Sequence, residues 1–233
     1  MKRQLALTLL LTCAACSQED APADEVVEAA EKIVDPAAQP TPLAKGRWAP
    51  QDSCATEPGA AAFRQRLAAA VHARDVDALV ALAAEDVRLD FGDGAGKEEL
   101  RARLDDGALG LWEELRTLMS LGCSINAQGG ITIPWYFDQD LGNVDPLEAM
   151  IVTGENVPVH ERALATSRRV ASVSWNLVTL AGPLTDTRYQ RVELPDGTTG
   201  YIATGQLRSL IDYRLIASSR NGRWRITSFV AGD

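Results

Sequence analysis

Positive charge is scarce in this sequence: 23 lysines and arginines stand against 32 aspartates and glutamates, a formal net charge of −9. That balance excludes a nucleic-acid partner, which would ask for a basic stripe to neutralise phosphates. Histidine is scarcer still, at two residues in 233. Neither His72 nor His160 has a second ligand-type side chain four residues away, so a zinc site has little material. Long apolar runs are also missing. The run from Leu5 to Leu11 is too short to span a bilayer, and no later stretch is longer and uncharged enough. No nucleophile elbow is present. The glycine cluster Gly92-Asp93-Gly94-Ala95-Gly96-Lys97 invites a phosphate-loop reading and fails it. Such a loop needs glycine at position 91 and a hydroxyl residue at 98, where Phe91 and Glu98 stand. The same stretch lacks the alternating oxygen ligands of a calcium loop. The expectation is a protein without catalytic residues, metal or cofactor.

What is present begins at the N-terminus. Lys2 and Arg3 precede the short apolar run, and the small residues Thr12-Cys13-Ala14-Ala15 lead to Cys16. This order describes an export signal. Cys13-Ala14-Ala15-Cys16 resembles a bacterial lipobox, with Cys13 where leucine is usual. That resemblance implies a signal peptide over residues 1–15, lipidation at Cys16, and a membrane-anchored lipoprotein facing the periplasm. Residues 16–47 read as a tether. Seven acids (Glu19, Asp20, Asp24, Glu25, Glu28, Glu31, Asp35) face one base, Lys32, and Pro36, Pro40 and Pro42 forbid a continuous helix. Once Cys16 is set aside, Cys54 and Cys123 remain in the body of an exported chain and are expected to form a disulfide.

Order is expected from Trp48. Phe63, Leu67, Ala70 and Val71 recur at helical spacing, and Asp75 reads as the N-cap of a second helix carrying Val76, Leu79, Val80 and Leu82. Val87, Leu89 and Phe91 alternate like a short strand. Helical stretches follow over Lys97–Leu104 and Leu109–Leu121, and the apolar segment Ile131–Phe137, with Pro134 inside it, reads as an edge strand or extended segment. After Asp145-Pro146 short β runs succeed one another: Ala149–Val152, Val157–His160, Val170–Val173, Leu177–Leu180, Tyr189–Leu194 and Gly200–Ala203. Pro195-Asp196-Gly197 and Asn221-Gly222 are hairpin turns, the second joining Tyr213–Ser218 to Trp224–Val230.

Three of these segments carry a resemblance. Val157-Pro158-Val159, Val170-Ala171-Ser172-Val173-Ser174-Trp175 and Asp196-Gly197-Thr198-Thr199-Gly200-Tyr201-Ile202 together resemble a bacterial SH3 domain. His160-Glu161-Arg162 replaces the family's arginine, and Tyr189 its tryptophan before the last hairpin. The resemblance implies a small barrel whose aromatic groove holds peptidoglycan or an envelope protein, with Trp175, Tyr189, Tyr201 and His160 as ligand-binding candidates. From Phe63 to Asp233 the arrangement also looks like exported proteins with a C-terminal SH3-like domain, a group to which no activity is assigned. Asp75 to Leu104, with Gly222-Arg223-Trp224-Arg225-Ile226, is similar to the α+β roll of nuclear-transport-factor-like domains.

The expected architecture is therefore α+β: a mainly helical region over 48–148, an SH3-like β-barrel over 149–208, and a C-terminal hairpin over 209–233 that packs on the helices. The expected function is a non-enzymatic binding or scaffold protein of the cell envelope. Its partners would be the lipid membrane, through the anchor, and peptidoglycan or an envelope protein. The rival is a small-molecule binder or enzyme with a pocket between the helical and β parts.

Overall fold

An alanine-rich segment with a heavy residue every third or fourth position has little choice but to be a helix with one buried face. Helix α1 (Ala60–Ala73) is that segment, and Phe63, Leu67, Ala70 and Val71 are its buried face. The chain turns at Arg74, and the Asp75 carboxylate accepts the Ala78 amide hydrogen at 2.9 Å, capping α2 (Val76–Leu82). Strand β1 (Ala83–Arg88) follows without a loop. Helices α3 (Lys97–Asp105) and α4 (Leu111–Met119) complete the helical layer, α4 burying Leu111, Leu115 and Leu118. This is a computed structural model, and it describes residues 45–232. The expected signal peptide, the expected lipidation at Cys16 and all but the end of the expected tether lie outside the described residues.

The remaining strands are β2 (Ser124–Ile125), β3 (Ile131–Ile133), β4 (Ala149–Val152), β5 (Val157–His160), β6 (Arg169–Val173), β7 (Leu177–Leu180), β8 (Tyr189–Glu193), β9 (Thr199–Ala203), β10 (Leu207–Ser209), β11 (Arg214–Arg220) and β12 (Arg223–Val230). They form two sheets. The first has the order β1-β12-β11-β3-β2, with β1 parallel to β12 and the other pairs antiparallel. The C-terminal hairpin is thus the middle of a sheet whose other strands come from residues 83–133, a region expected to be mainly helical. The second sheet has the order β10-β4-β7-β8-β9-β5-β6 and is antiparallel throughout. It does not close into the expected barrel, since β10 and β6 end it without pairing.

Two local differences from expectation have physical causes. The strand expected to reach Phe91 stops at Arg88, because the Asp90 carboxylate accepts the amide hydrogens of Gly92 (2.8 Å) and Gly94 (3.0 Å) and closes a turn. Pro134 does not mark an edge strand either. It sits beyond the end of β3, which is flanked by β11 and β2, and opens a single 3₁₀ turn over Trp135–Asp138.

Three apolar clusters hold the unit together. Helices α1–α4 pack on one face of the first sheet, where Leu215, Ala217, Trp224, Ile226 and Phe229 meet Phe63, Leu67, Leu79 and Leu115. The second sheet has its own core of Met150, Val152, Val157, Val159, Val192 and Ile202. The third cluster, Trp48, Trp135, Tyr136, Ala149, Ile151 and Leu210, lies between them. Strand β4 explains how: successive side chains point to opposite faces, so Met150 and Val152 serve one core while Ala149 and Ile151 serve the other. A disulfide joins Cys54 to Cys123 across 69 residues with a Cα–Cα distance of 5.7 Å. In the chain-entropy model a loop of that length stabilises the fold by about 4 kcal/mol.

Candidate functional site

Strands β8 and β9 pair so that Arg191 lies opposite Tyr201 and Val192 opposite Gly200. Alternation then sends Gln190 and Val192 inward and leaves Tyr189, Arg191 and Tyr201 on the outer face. Glycine at 200 is required. A Cβ there would lie 2.5 Å from Val159 Cγ1 and 2.8 Å from the His160 carbonyl oxygen, so only glycine lets β5 approach. That approach brings His160 opposite Tyr201.

The Tyr189 ring meets the His160 ring edge to face, with 6.1 Å between centroids. His160 is buried, and its Nδ1 lies 3.0 Å from the Ser167 carbonyl oxygen. A carbonyl can only accept, so Nδ1 is the donor in this contact. Two loops flank these rings. The β5–β6 loop is closed by the Arg168–Glu161 pair at 2.9 Å, and the Arg168 guanidinium holds the Glu161 carboxyl below the usual carboxylate range. The β7–β8 loop is held by Gln190, which is buried. Its Nε2 donates to the Thr185 carbonyl at 2.6 Å and to Thr204 Oγ1 at 3.2 Å.

The result is an open cleft of about 440 Å³, lined by Tyr189 and Tyr201 together with Ala163, Pro183, Thr185, Thr187, Arg188, Gln190 and Arg191. Among the described residues, neither Arg188 nor Arg191 has a carboxylate partner. Aromatic faces, hydroxyls and unpaired guanidinium groups around one hollow suit a ligand with flat apolar faces and carboxylates, such as a sugar chain bearing acidic substituents.

Of the four residues singled out from the sequence, the structure brings Tyr189, Tyr201 and His160 together. Trp175 lies elsewhere. Its carbonyl accepts the Trp48 amide hydrogen at 2.8 Å, and its ring packs against both the helical core and the cluster between the sheets. The sequence reading missed Arg188, Arg191 and Gln190. A polar residue at the inward position of β8 is the signal that could have exposed Gln190 as a loop anchor.

The remaining candidates resolve as structural. The amide hydrogens of Gly92 and Gly94 are taken by Asp90, which also pairs with Arg103 at 2.5 Å, so they are not offered to a phosphate. Arg103 holds the Asp90 carboxyl below the usual range, with help from the Gly94 and Gly92 amides. His72 is exposed in the last turn of α1. Asp52, Cys54 and Cys123 cluster tightly enough for a metal, but both sulfurs are joined in the disulfide and are not thiolates. Among the described residues, no helix is long and apolar enough to cross a membrane. The chain matches no family model and no curated protein.

Proposed function

We propose that this chain is a non-enzymatic cell-envelope lipoprotein. It would be anchored through Cys16 and face the periplasm, with its β part acting as an SH3-like module that holds peptidoglycan in the cleft between Tyr189 and Tyr201. The observation that carries this reading is the convergence on one hollow of two tyrosines, one of them backed by the buried His160 ring, and two arginines that have no carboxylate partner among the described residues. Sugar rings stack on aromatic faces, and carboxylates of the stem peptides would meet Arg188 and Arg191. The lipobox-like residues before Cys16 supply the address.

Sedimentation with purified sacculi tests the cleft. The wild-type protein is expected to co-sediment, and Tyr189→Ala/Tyr201→Ala to bind about tenfold more weakly with an unchanged far-ultraviolet spectrum. Equal retention of the two proteins would overturn the assignment. Fractionation tests the anchor: Cys16→Ser is expected to move the protein from the membrane to the soluble periplasmic fraction. Continued membrane association with undiminished fatty-acid labelling would remove the anchor from the proposal.

A second hollow of about 260 Å³, lined by Phe137, Leu141, Leu210, Ile211 and Arg214, favours the rival small-molecule reading. It lies where the segment after β3 meets the start of β11, between the two sheets in sequence. Saturable uptake of an apolar dye that Tyr189→Ala leaves intact would point there.

A further inference from the structure

The C-terminal hairpin carries a second constellation, separate from the aromatic cleft. On the face of the first sheet turned away from the helices, Arg220 on β11 stands directly opposite Arg223 on β12, and Ser218 stands opposite Arg225. Like charges directly opposite each other across a strand pair destabilise a sheet. Here three guanidinium groups gather on a chain with a net charge of −9, and none has a carboxylate within ion-pair distance among the described residues. Among the described residues, the Arg225 guanidinium donates to the Trp224 carbonyl at 3.1 Å. The three arginines, Ser218, Thr227 and Asp86 enclose a hollow of about 200 Å³.

We propose that this hollow is a binding site for a compact phosphate-bearing ligand. Guanidinium groups offer paired N–H donors that match phosphate oxygens, and three of them supply the charge a dianion needs. The Ser218 hydroxyl adds a neutral donor, whereas Thr227 Oγ1 gives its hydrogen to the Ile216 carbonyl at 3.3 Å. Asp86, which lines the same hollow, limits the class. Its carboxylate repels a second anionic group and accepts a hydrogen bond from a hydroxyl, which selects a phosphomonoester next to a hydroxyl over a polyanion. A hollow of this size takes a phosphate and a few further atoms, not a bilayer surface.

The test titrates inorganic phosphate, and then glycerol phosphate, into the full-length Cys16→Ser protein in dilute chloride buffer, followed by calorimetry. Saturable binding at one site is expected, with Arg223→Gln and Arg225→Gln each weakening it about tenfold. Phosphate should raise the melting temperature of the parent protein and leave that of Arg220→Gln/Arg223→Gln unmoved. Without phosphate, the double variant should melt no lower than the parent, because it removes a cross-strand repulsion. Absence of saturable binding, or equal affinity in the variants, would overturn the site. So would a double variant that melts well below its parent in phosphate-free buffer, since the arginines would then be holding the sheet. Vesicles of anionic phospholipid separate the sources: binding to them that free phosphate does not displace would make a bilayer the partner and overturn the small-ligand assignment.

Discussion

Arg208 shows how much one side chain can decide. It is buried on β10, and its guanidinium donates to Glu114 on α4 at 2.5 Å and to the Tyr213 carbonyl at 2.9 Å, with Asp212 at 3.3 Å. Burial lowers its affinity for the proton, but Tyr136, Glu114 and Asp212 outweigh that and raise it, so the charge is retained. Burial pushes the Glu114 carboxyl up, opposed by its bond to Arg208, and pushes the Tyr136 hydroxyl up to about 12. A buried ion pair adds little when both partners are present and costs much when one is removed. Arg208→Met is therefore expected to lose about 3–5 kcal/mol, and Arg208→Met/Glu114→Leu to lose clearly less. The pH dependence has a definite sign. A carboxyl with a folded value above its unfolded one binds protons more readily in the fold, so stability falls as pH rises from the unfolded value through the folded one. Without Arg208 that rise is larger, and the deficit of Arg208→Met should shrink between about pH 8 and about pH 5. Urea melts of both variants at the two pH values check this. A double variant as weak as the single one would show that the pair is not the source of the loss.

At the scale of elements, the sequence was most legible where one period dominates. The spacing of Phe63, Leu67, Ala70 and Val71 marks α1, and the Asp75 cap marks α2, because both signals are local. The hairpin across Asn221-Gly222 was legible for the same reason: its turn chemistry stands between two alternating runs. Strands β2 and β10 were not, being two and three residues long, too short for any period to declare itself. Nor could the sequence show that β3 lies between β11 and β2, since strand order is set by packing partners far along the chain. The cleft was half legible. Tyr189, Tyr201 and His160 stood out through a resemblance, but Arg188 lies at the end of a loop whose shape depends on the buried Gln190, and Arg191 reaches the hollow only through the register of β8 against β9. Trp175 misled because an aromatic residue at a strand end serves equally well as a core plug, which is how the structure uses it.

The whole unit turns on how its two sheets share stability. The hairpin of β11 and β12 is the centre of the first sheet, and Trp224 is its largest side chain buried against the helices. The indole is 3% exposed, donates from Nε1 to the Pro58 carbonyl at 2.9 Å, and lies 6.2 Å from the Phe63 ring. The helical core and the second sheet do not touch through the hairpin alone. Trp48, Trp135, Tyr136 and Ile151 fill the space between them, Trp175 packs on both sides, and Arg208 ties β10 to α4. A connection made by apolar packing and a buried ion pair is strong enough to couple the halves, because losing either side exposes surface on the other. Residues 45–232 should therefore unfold in a single transition. Trp224→Ala removes the packing and leaves the Pro58 carbonyl without its donor, at a cost of about 3–5 kcal/mol. If the coupling holds, that variant lowers the melting temperature reported by the Tyr189–Tyr201 face as much as the temperature reported by the helices. On heating, nuclear magnetic resonance signals of the α1 amides would follow the helices, and the ring signals of Tyr189 and Tyr201 the second sheet. Two separated transitions, with the tyrosine signal unmoved by Trp224→Ala, would mean that the sheets fold independently and that the cluster around Trp48 is only a contact between them.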